Sequence, residues 1–498
     1  MATLQPTTSP ALPIERLERV EGWGRAVAGM AYVYRPSTPA GVEQVLSLAR
    51  RSGRSVGLRG AGRSYADAAI NSENIVLDLS RMNRILAWDP ASGVIAVEPG
   101  VTIQQLWEYA LEDGWWPPVV PGTMFPTLGG CAATNIHGKN AWKAGPIGEH
   151  ILEFEAVLAN GERATCSREQ NADLFHALIS GFGMLGVFTR ITLQLKRVYS
   201  GYLRVEALPT PNLPAMFRAF EERLDTADYL VGWVDGTAGG GGLGRGQLHR
   251  ANYLPPGADP FPAQSLQVGH QTLPDTFFGV VPKSILWRFM RPFMNNAGTR
   301  LVNTGKYLSG ALQGRSEHLQ TFAAFNFLLD YVPNWKLSYG PGGLHQYQMF
   351  IPAAEAPAAF AETLRRSQKA GLPTYLAVFK RHRPDDFLIS HGLEGYSLAM
   401  DFKVTRGNRP GLARLFAELD RIVLDTGGRF YFAKDGALHA DTAAAFLGEP
   451  TLARFSALKR RCDPDNLQQT DLSRRLFEFG GGETGRQVDR ETGRQVDR

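Results

Sequence analysis

The most constraining feature of the sequence is a run of small residues, Gly129-Gly130-Cys131-Ala132-Ala133-Thr134. A core strand or helix normally needs bulky side chains to fill the space around it, and this run has none. Small side chains instead allow the backbone to lie against a flat ligand. His137 and Lys139 follow at once and bring polar groups to the same surface. The run therefore predicts a binding surface, although a lone histidine is more often structural.

A second glycine-rich segment, Arg59–Tyr65, has the sequence RGAGRSY and follows a predicted strand. Glycines here let successive backbone N–H groups converge on an anion, and Arg63 and Ser64 can add further donors. The segment is not the dinucleotide fingerprint, because Tyr65 occupies the position of the third glycine. It indicates a phosphate-binding loop, with an ordinary turn as the alternative.

A literal G-x-G-x-x-G pattern occurs at Gly181, Gly183 and Gly186. A nicotinamide site of the Rossmann type needs a strand before the glycines and a helix after them. In this sequence a predicted helix precedes them and a predicted strand follows. The pattern therefore predicts a tight helix-to-strand turn, which can lie near a cofactor.

Residues 31–200 alternate strand and helix signals without the regularity of a βαβ array. Thr38 and Pro39 predict the start of a helix that ends at Gly53, and Asn160-Gly161 predicts a hairpin turn. The other predicted helices are Ile103–Leu111 and Ala172–Ile179, and the predicted strands are Ala31–Arg35, Ser55–Leu58, Asn74–Leu79, Gly93–Val97, Ile151–Leu158, Arg163–Cys166 and Val187–Leu195.

The pattern changes after Lys196. A glycine-rich loop at Ala238–Gly246 and a proline-rich loop at residues 252–275 come first. Strands then follow at Tyr347–Ile351 and Tyr375–Phe379, and helices at Pro357–Lys369 and Gly411–Leu424. This order suggests a second, antiparallel sheet with helices on one face.

The sequence thus predicts an α+β fold of two domains. The expected divisions are a first domain at 12–200, a second domain at 201–427, a return to the first domain at 428–478, and a tail at 479–498. The tail contains the octapeptide ETGRQVDR twice. It is polar with no apolar face to bury, so we expect disorder there.

Composition limits the classes of function. The 498 residues correspond to two to four domains at about 100–200 residues each. The net charge of +5 is spread over a long chain. It mildly favours an anionic ligand or a membrane surface and gives little support for nucleic acid.

Compartment and metal content can also be predicted. Cys131, Cys166 and Cys462 are odd in number and share no metal-ligand spacing, so we expect reduced thiols, no zinc site and a cytoplasmic protein. The first residues lack the basic and apolar regions of a secretory signal. No stretch reaches the roughly 18 apolar residues of a membrane-spanning helix.

The two glycine-rich segments, in this order and spacing, resemble the FAD-linked oxidoreductases of the vanillyl-alcohol oxidase/p-cresol methylhydroxylase superfamily. The similarity extends from about Gly22 to Leu476. A narrower resemblance, to members that oxidise polyprenylphosphoryl ribose, rests on five motifs: Gly22-Trp23-Gly24-Arg25, Ile136–Asn140, Tyr339-Gly340-Pro341, Gln346-Tyr347-Gln348 and Tyr431–Asp435.

The resemblance implies a PCMH-type FAD domain, an antiparallel-sheet substrate domain and bound FAD. The flavin is expected to be non-covalent, because superfamily members that tether it through the first loop have a histidine where Arg63 stands. The implied FAD contacts are Arg59, Gly60, Ala61, Gly62, Arg63, Ser64, Tyr65, Gly122, Thr127, Gly129, Gly130, Ala133, His137, Gly138, Val187 and Tyr431.

The resemblance also implies the reacting groups. Lys434 matches the essential lysine of the family, and the implied wall over the flavin adds Gln346, Gln348 and Lys380, with His137 beside them. Lys139, Asn326 and Ala399 are the implied substrate contacts. Asn326 and Ala399 depart from the family pattern, which has a tyrosine and a cysteine there, so substrate identity stays open.

The expected function is FAD-dependent oxidation of a secondary alcohol on a sugar, namely the 2'-hydroxyl of a polyprenylphosphoryl ribose. An NAD(P)-dependent reductase would complete an epimerisation. The alternatives are a same-fold enzyme for a soluble sugar, aldonolactone or natural-product alcohol, and a non-catalytic flavin-binding protein. Peripheral contact with the inner membrane face is an open option. It would use the loop at 252–295, whose aromatic residues are Phe261, Phe277, Phe278, Trp287, Phe289 and Phe293.

Overall fold

Most strands belong to three sheets, and the helices connect or cover them. The computed structural model describes residues 11–273, 275–277, 281–477 and 479. In chain order the strands are β1 Leu17–Glu21, β2 Ala28–Tyr34, β3 Val56–Arg59, β4 Ile75–Asp78, β5 Ile85–Asp89, β6 Val94–Val97, β7 Trp115–Trp116, β8 Ile151–Leu158, β9 Arg163–Ser167, β10 Gly186–Gln194, β11 Lys196–Arg197, β12 Tyr202–Thr210, β13 Tyr229–Val234, β14 Gly246–Tyr253, β15 Thr276–Phe277, β16 Val281–Pro282, β17 Ser316–Thr321, β18 Leu344–Pro352, β19 Leu376–His382, β20 Gly395–Lys403 and β21 Arg429–Phe430.

The α-helices range from four to 18 residues. In chain order they are α1 Pro39–Ser52, α2 Ile103–Ala110, α3 Leu128–Ala133, α4 Ala141–Ala144, α5 Ala172–Leu178, α6 Leu213–Glu221, α7 Pro262–Ser265, α8 Leu286–Met290, α9 Asn296–Gln313, α10 Phe322–Asn326, α11 Ala356–Lys369, α12 Arg409–Asp425, α13 Ala440–Leu447, α14 Glu449–Cys462 and α15 Asp471–Leu476. No helix in the described ranges combines the length and apolar character needed to cross a bilayer.

The first sheet has the order β1-β2-β4-β3, in which β2, β4 and β3 run parallel. Helix α1 connects β2 to β3. It begins where the Thr38 hydroxyl accepts a hydrogen bond from the Gly41 N–H, and it ends at Gly53, which has φ +62°. Both helix signals in the sequence are therefore confirmed, because each depends on neighbouring residues alone.

The second sheet has five strands in the order β5-β6-β10-β8-β9. Strands β8 and β9 form the predicted hairpin, and Gly161 in its turn has φ +95°. Helix α5 leads through the turn at residues 181–186 into β10, as expected.

The third sheet is antiparallel and has eight strands in the order β17-β12-β14-β13-β19-β20-β18-β21. Helices α6 and α11 cover one face of this sheet. The Phe379 ring on β19 lies 4.9 Å from the Phe217 ring of α6 and 5.7 Å from the Phe360 ring of α11, measured between centres. The predicted antiparallel sheet with helices on one face is confirmed.

Residues 200–330 contain the largest differences from the sequence analysis. Strands β12, β13, β14 and β17 form half of the third sheet but were not predicted. Every residue of β13 is buried, so it shows no alternation of polar and apolar residues. Short helices interrupt the expected loop at 252–275, and the unpredicted helix α9 follows it.

The small-residue run forms a short helix, α3, rather than an irregular segment. The Thr127 hydroxyl caps it by accepting from the Gly130 N–H. Alanine and cysteine are compatible with a helix where the neighbouring elements approach closely.

The chain returns to the first sheet near its C-terminus. Strand β21 still pairs with β18 in the third sheet. The Val56 N–H on β3 then donates to the Leu467 carbonyl, and the Gln469 N–H donates back to the Val56 carbonyl. The domain divisions at 200 and 428 stay an interpretation. The predicted tail at 479–498 lies, apart from residue 479, outside the described residues.

Candidate active site

A cavity of about 660 Å³ brings together the two glycine-rich segments and the third sheet. The loop after β3 and helix α3 form part of its wall, and strands β13, β18, β19 and β20 form another part. The expected site residues that line it are Arg59, Gly60, Ala61, Gly62, Arg63, Ser64, Tyr65, Gly122, Thr127, Gly129, Gly130, Ala133, His137, Lys139, Gln346, Gln348, Lys380, Ala399, Tyr431 and Lys434.

The loop at residues 60–64 presents hydrogen-bond donors to this cavity. Within the described part of the chain, none of its five backbone N–H groups has a hydrogen-bond acceptor. The Nε of Arg63 is also buried without a partner, and its guanidinium lies 4.0 Å from the centre of the Trp23 ring. Because buried donors are rarely left unpaired in proteins, several free donors beside one cavity suit a ligand that accepts hydrogen bonds. The loop therefore fits an anion such as a pyrophosphate.

Close packing requires glycine at one position in this loop and at one position in the neighbouring helix α3. A Cβ at Gly60 would lie 2.0 Å from the Thr127 Oγ1, which is already fixed as the cap of α3. A Cβ at Gly129 would lie 2.7 Å from the Pro99 Cβ. These glycines bring the backbone of α3 to the cavity surface, where it can lie against a flat group.

The G-x-G-x-x-G turn also lines the cavity, through Gly183 and Gly186. Gly183 has φ +72°, a conformation that favours glycine. The turn therefore contributes to the wall, but it follows a helix and is not a Rossmann loop.

The third sheet supplies a row of paired residues to the cavity, and its polar members are glutamines of β18. Gln348 on β18 pairs with Ala399 on β20, and Ala399 pairs with Val378 on β19. All three line the cavity. Gln346, two residues before Gln348, lines it too, as the alternation of side chains along a strand predicts.

Lys434 lies where the loop after β3 meets the third sheet. Its Nζ is 4.0 Å from the centre of the Tyr65 ring, and both residues line the cavity. Burial lowers the pKa of Lys434 to about 8, while the charge of Asp401 acts in the opposite direction. With a pKa so close to neutral pH, part of the Lys434 population is uncharged and can accept a proton.

Asp401 is the carboxyl group whose charge acts on this lysine. It is fully buried on β20, and the Gln346 Nε2 donates to its Oδ1 at 2.5 Å. Its Oδ2 has no hydrogen-bond partner among the described residues. Burial raises the pKa of Asp401 to about 6, against the effects of Gln346 and Lys434. Sequence reasoning missed Asp401, because it sits in an ordinary strand sequence with no local signal.

His137 contacts two other predicted site residues. The Gln348 Nε2 lies 3.1 Å from its Nε2, and the Lys380 Nζ lies 3.5 Å from its Nδ1. Burial, followed by the charge of Lys380, lowers the pKa of His137 well below its usual value. Burial and the charge of Lys434 lower the pKa of Lys380 to about 7. The group therefore offers a neutral imidazole and a second amine that can titrate.

Lys139 lines the cavity but is held by the protein itself. Its Nζ donates to the carbonyl of Phe325, and to that of Asn326 at 3.2 Å. Asn326 does not line the cavity. Its Nδ2 donates to the Phe322 carbonyl one turn earlier in α10, so the side-chain amide is hydrogen-bonded within its own helix.

Gly138 and Val187 also lie behind the cavity wall. Val187 is fully buried in a core cluster with Val56 and Leu77. A Cβ at Gly138 would lie 2.4 Å from the Asn140 Oδ1. The structure therefore does not bring Asn326, Gly138 or Val187 to the cavity surface.

Several residues that line the cavity had no sequence signal. They come from strands, a helix and a short turn within residues 229–331, which the tertiary fold rather than local spacing brings to the cavity. They are Val231, Trp233, His249, Lys306, Gln320, Leu329 and Tyr331.

Comparison with known proteins identifies the family. A model described as an FAD binding domain matches residues 30–167. The decaprenylphosphoryl-β-D-ribose oxidase of Mycolicibacterium smegmatis is 32% identical over 469 residues, which cover 92% of this chain and 97% of that protein. The chain belongs to the vanillyl-alcohol oxidase/p-cresol methylhydroxylase superfamily.

Two relatives in this superfamily match a smaller part of the chain. A putative D-arabinono-1,4-lactone oxidase of Neurospora crassa is 30% identical over 36% of this chain and 32% of its own length. The L-gulonolactone oxidase of Mus musculus is 29% identical over 32% of this chain and 36% of its own length. The protein is accordingly an FAD-dependent oxidoreductase that acts on CH–OH groups.

The residues around the cavity fit FAD. The free N–H groups at 60–64 suit the pyrophosphate, and the small side chains of α3 let its backbone approach the ring system. Lys434 and Gln346 line the same cavity, where they can meet a substrate bound beside the ring. The predicted cofactor is therefore consistent with the geometry as well as with the family.

Proposed function

We propose that this member of the superfamily oxidises the 2'-hydroxyl of a polyprenylphosphoryl ribose. The observation that carries the proposal is Lys434, a lysine with a pKa of about 8 at the junction of the FAD loop and the glutamine-lined sheet. The relative from Mycolicibacterium smegmatis, named for a decaprenylphosphoryl ribose, supports the substrate class because it matches nearly the whole chain.

Oxidation of a secondary alcohol releases a proton from oxygen and a hydride from carbon. FAD, when bound, supplies the hydride acceptor. Lys434 in its neutral form takes the hydroxyl proton on Nζ and becomes an ammonium, leaving a ketone as the product. Asp401 stabilises that ammonium, since its charge raises the pKa of Lys434.

The sheet residues orient the sugar. Gln346 and Gln348 present amides to the cavity and suit hydrogen bonds to sugar hydroxyls. Lys380, with a pKa of about 7, can bind a hydroxyl or help to balance the charge of the phosphate. Lys306 and His249 lie on the same wall and add cationic or donor groups for a phosphate.

The second candidate is a soluble sugar, aldonolactone or natural-product alcohol. Ala399 favours it, because an alanine replaces the family cysteine directly on the cavity wall beside Gln348. The partial similarity to two lactone oxidases agrees with it. A non-catalytic flavin protein is a weaker candidate, because Lys434 and both glutamines remain in place.

The keto product implies a partner reaction. A separate NAD(P)-dependent reductase acting on the new ketone from the other face would complete an epimerisation. The polyprenyl carrier resides in a bilayer, so we also expect the enzyme to contact the membrane surface from the cytoplasmic side.

The test is anaerobic bleaching of the purified holoprotein. A polyprenylphosphoryl ribose with a short prenyl chain, dispersed in detergent, should reduce the bound flavin, whereas free ribose and aldonolactones should not. Lys434→Met holoprotein is the control and should stay oxidised. Reduction by an aldonolactone or a free sugar instead would favour the second candidate, and no reduction by any alcohol would favour a non-catalytic protein.

A further inference from the structure

Helix α9 turns polar residues toward the protein and leucines toward the outside. Its buried residues are Thr299 and Asn303. Leu301, Leu308 and Leu312 are 66%, 50% and 88% exposed. Together with Gly305 they are spaced i, i+4, i+7 and i+11, which places them on one face. A helix packed on a sheet normally turns its leucines inward, so this face lacks a partner within the described structure.

Polar contacts hold the inner face of α9 in this orientation. The Asn303 Nδ2 donates to the Asp235 Oδ1 at 3.3 Å. An Arg245 guanidinium N–H donates to the Thr304 hydroxyl at 2.8 Å and pairs with Asp235 at 2.9 Å. A rotation that buried the leucines would break the contacts of Asn303 and Thr304 and place apolar side chains against Asp235, which is fully buried. The outward leucines are therefore a stable feature of the fold.

The sequence around α9 is strongly basic. Between Asp275 and Glu317 there is no Asp or Glu. The same stretch carries six cationic residues, more than the net charge of +5 of the whole chain: Lys283, Arg288, Arg291, Arg300, Lys306 and Arg315. An exposed apolar face in a region with only positive charge is complementary to an anionic lipid surface.

Exposed aromatic residues precede the helix. Phe289 and Phe293 are 62% and 44% exposed, and Met290 is 36% exposed. Of the other aromatic residues predicted to contact a membrane, Phe261 is exposed and Trp287 is half-buried. Phe278 lies outside the described residues, as does the side chain of Phe277.

We propose that the leucine face of α9, formed by Leu301, Leu308 and Leu312, docks on an anionic lipid bilayer. The exposed residues Arg288, Arg291 and Arg300 contact the lipid headgroups. This inference rests on the proposed function, which gives membrane docking a purpose. Lys306 of the same helix lines the substrate cavity, so a docked α9 would hold that cavity near a lipid-linked substrate.

The charge pattern favours a bilayer over a second copy of the chain. A two-fold dimer would bring the same patch of both copies together. The exposed residues Arg288, Arg291 and Arg300 would then face their own counterparts without an acidic residue between 276 and 316 to offset them. An anionic bilayer offers the opposite charge and an apolar interior.

The experiment is co-sedimentation of the holoprotein with vesicles. One set contains phosphatidylcholine alone and the other phosphatidylcholine mixed with phosphatidylglycerol. We expect sedimentation with the anionic vesicles at low salt, weakened at high salt because surface charges are screened. The triple variant Leu301→Gln, Leu308→Gln, Leu312→Gln should lose about 10-fold or more in vesicle affinity, as expected for removing three apolar anchors.

A matched control replaces exposed leucines elsewhere. The double variant Leu86→Gln, Leu152→Gln changes side chains that are 42% and 44% exposed, and it should bind vesicles normally. FAD content and turnover of the detergent-dispersed substrate should be unchanged in both variants, which separates lost docking from misfolding.

Three outcomes would overturn the docking surface: no binding of the unaltered holoprotein, equal binding of the triple variant, or conversion of a dimer to a monomer by the triple substitution without vesicle binding. If turnover of the detergent-dispersed substrate persists in those cases, the proposed function stands. Vesicle binding without turnover of any polyprenylphosphoryl sugar would contradict the proposed function alone.

Discussion

Lys434 is the residue on which the proposed proton transfer depends. Lys434→Met keeps the length of the side chain but removes the amine. We expect kcat/KM to fall by about 10²-fold or more, the usual contribution of an acid–base group, with FAD still bound. Steady-state kinetics and the flavin spectrum of the same sample provide the measurement. A near-normal kcat/KM at every pH would assign the proton transfer to another group.

Asp401 allows a second test, because its charge raises the pKa of Lys434. In Asp401→Asn that charge is absent, so Lys434 should lose its proton at lower pH. If the neutral amine is the active form, kcat/KM rises with pH through about 8 in the unaltered enzyme. The variant should show the same rise displaced to lower pH.

The control for this profile is Asp420→Asn. Asp420 is also a buried carboxyl, but it accepts a hydrogen bond from the Tyr347 hydroxyl and does not line the cavity. We expect its substitution to leave the midpoint of the profile unchanged. A midpoint in Asp401→Asn equal to that of the unaltered enzyme would show that the carboxylate does not tune Lys434.

Single elements differ in how far the sequence predicts them. Helix α1 and the β8–β9 hairpin were predicted because each of their signals, at Thr38, Gly53 and Asn160-Gly161, acts on the residues next to it in the sequence. Strand β13 and helix α9 were missed. The first is buried throughout and lacks alternation, and the second has its leucines outward. Local patterns fail where tertiary contacts decide which face is covered.

The phosphate loop gives a prediction at the scale of an element. A side chain at Gly60 would meet the Thr127 hydroxyl that caps α3. Overpacking of this kind costs about 1–3 kcal/mol. We expect part of this free energy to appear as weaker FAD binding. We expect Gly60→Val to reduce FAD affinity by about 10-fold or more, measured by flavin release and reconstitution.

Gly241→Val is the matched control for the loop. A Cβ at Gly241 has no atom within 4 Å. This variant should retain the FAD affinity of the unaltered protein. Equal affinities in the two variants would mean that the loop can move away from α3 without loss of the cofactor.

At the scale of the whole molecule, we can predict how FAD is attached. We predict non-covalent FAD, because Arg63 stands where related enzymes carry the tethering histidine, and because Cys131 is fully buried on the cavity wall. Burial raises the pKa of its thiol, which keeps it protonated and unreactive. Acid precipitation should leave the yellow colour in the supernatant, with total flavin before precipitation as the reference. Yellow protein in the pellet would contradict the prediction.

The sequence alone determined the α+β class of the fold, the family and the cofactor, and it predicted the residues of the cofactor loop. These depend on glycines and short motifs whose meaning is local, such as Arg59–Tyr65 and the run at 129–134. It also identified Lys434 and the glutamine pair through their motifs. A short motif specifies the backbone conformation or the chemical group at a position. Residues close together in the sequence are enough to recognise it.

Only the tertiary structure decided the rest of the site and its electrostatics. Asp401 and Trp233 belong to no motif. The pairing of their strands brings Trp233 to the cavity wall and Asp401 to a position where its charge acts on Lys434. Conversely, Asn326 was predicted to contact substrate, and the structure places it off the cavity surface with its amide donating within α10. Burial sets the pKa of Lys434 and Lys380, and the outward leucines of α9 are recognised only once its inner face is known. Each of these depends on residues far apart in sequence, whose distances the fold alone fixes.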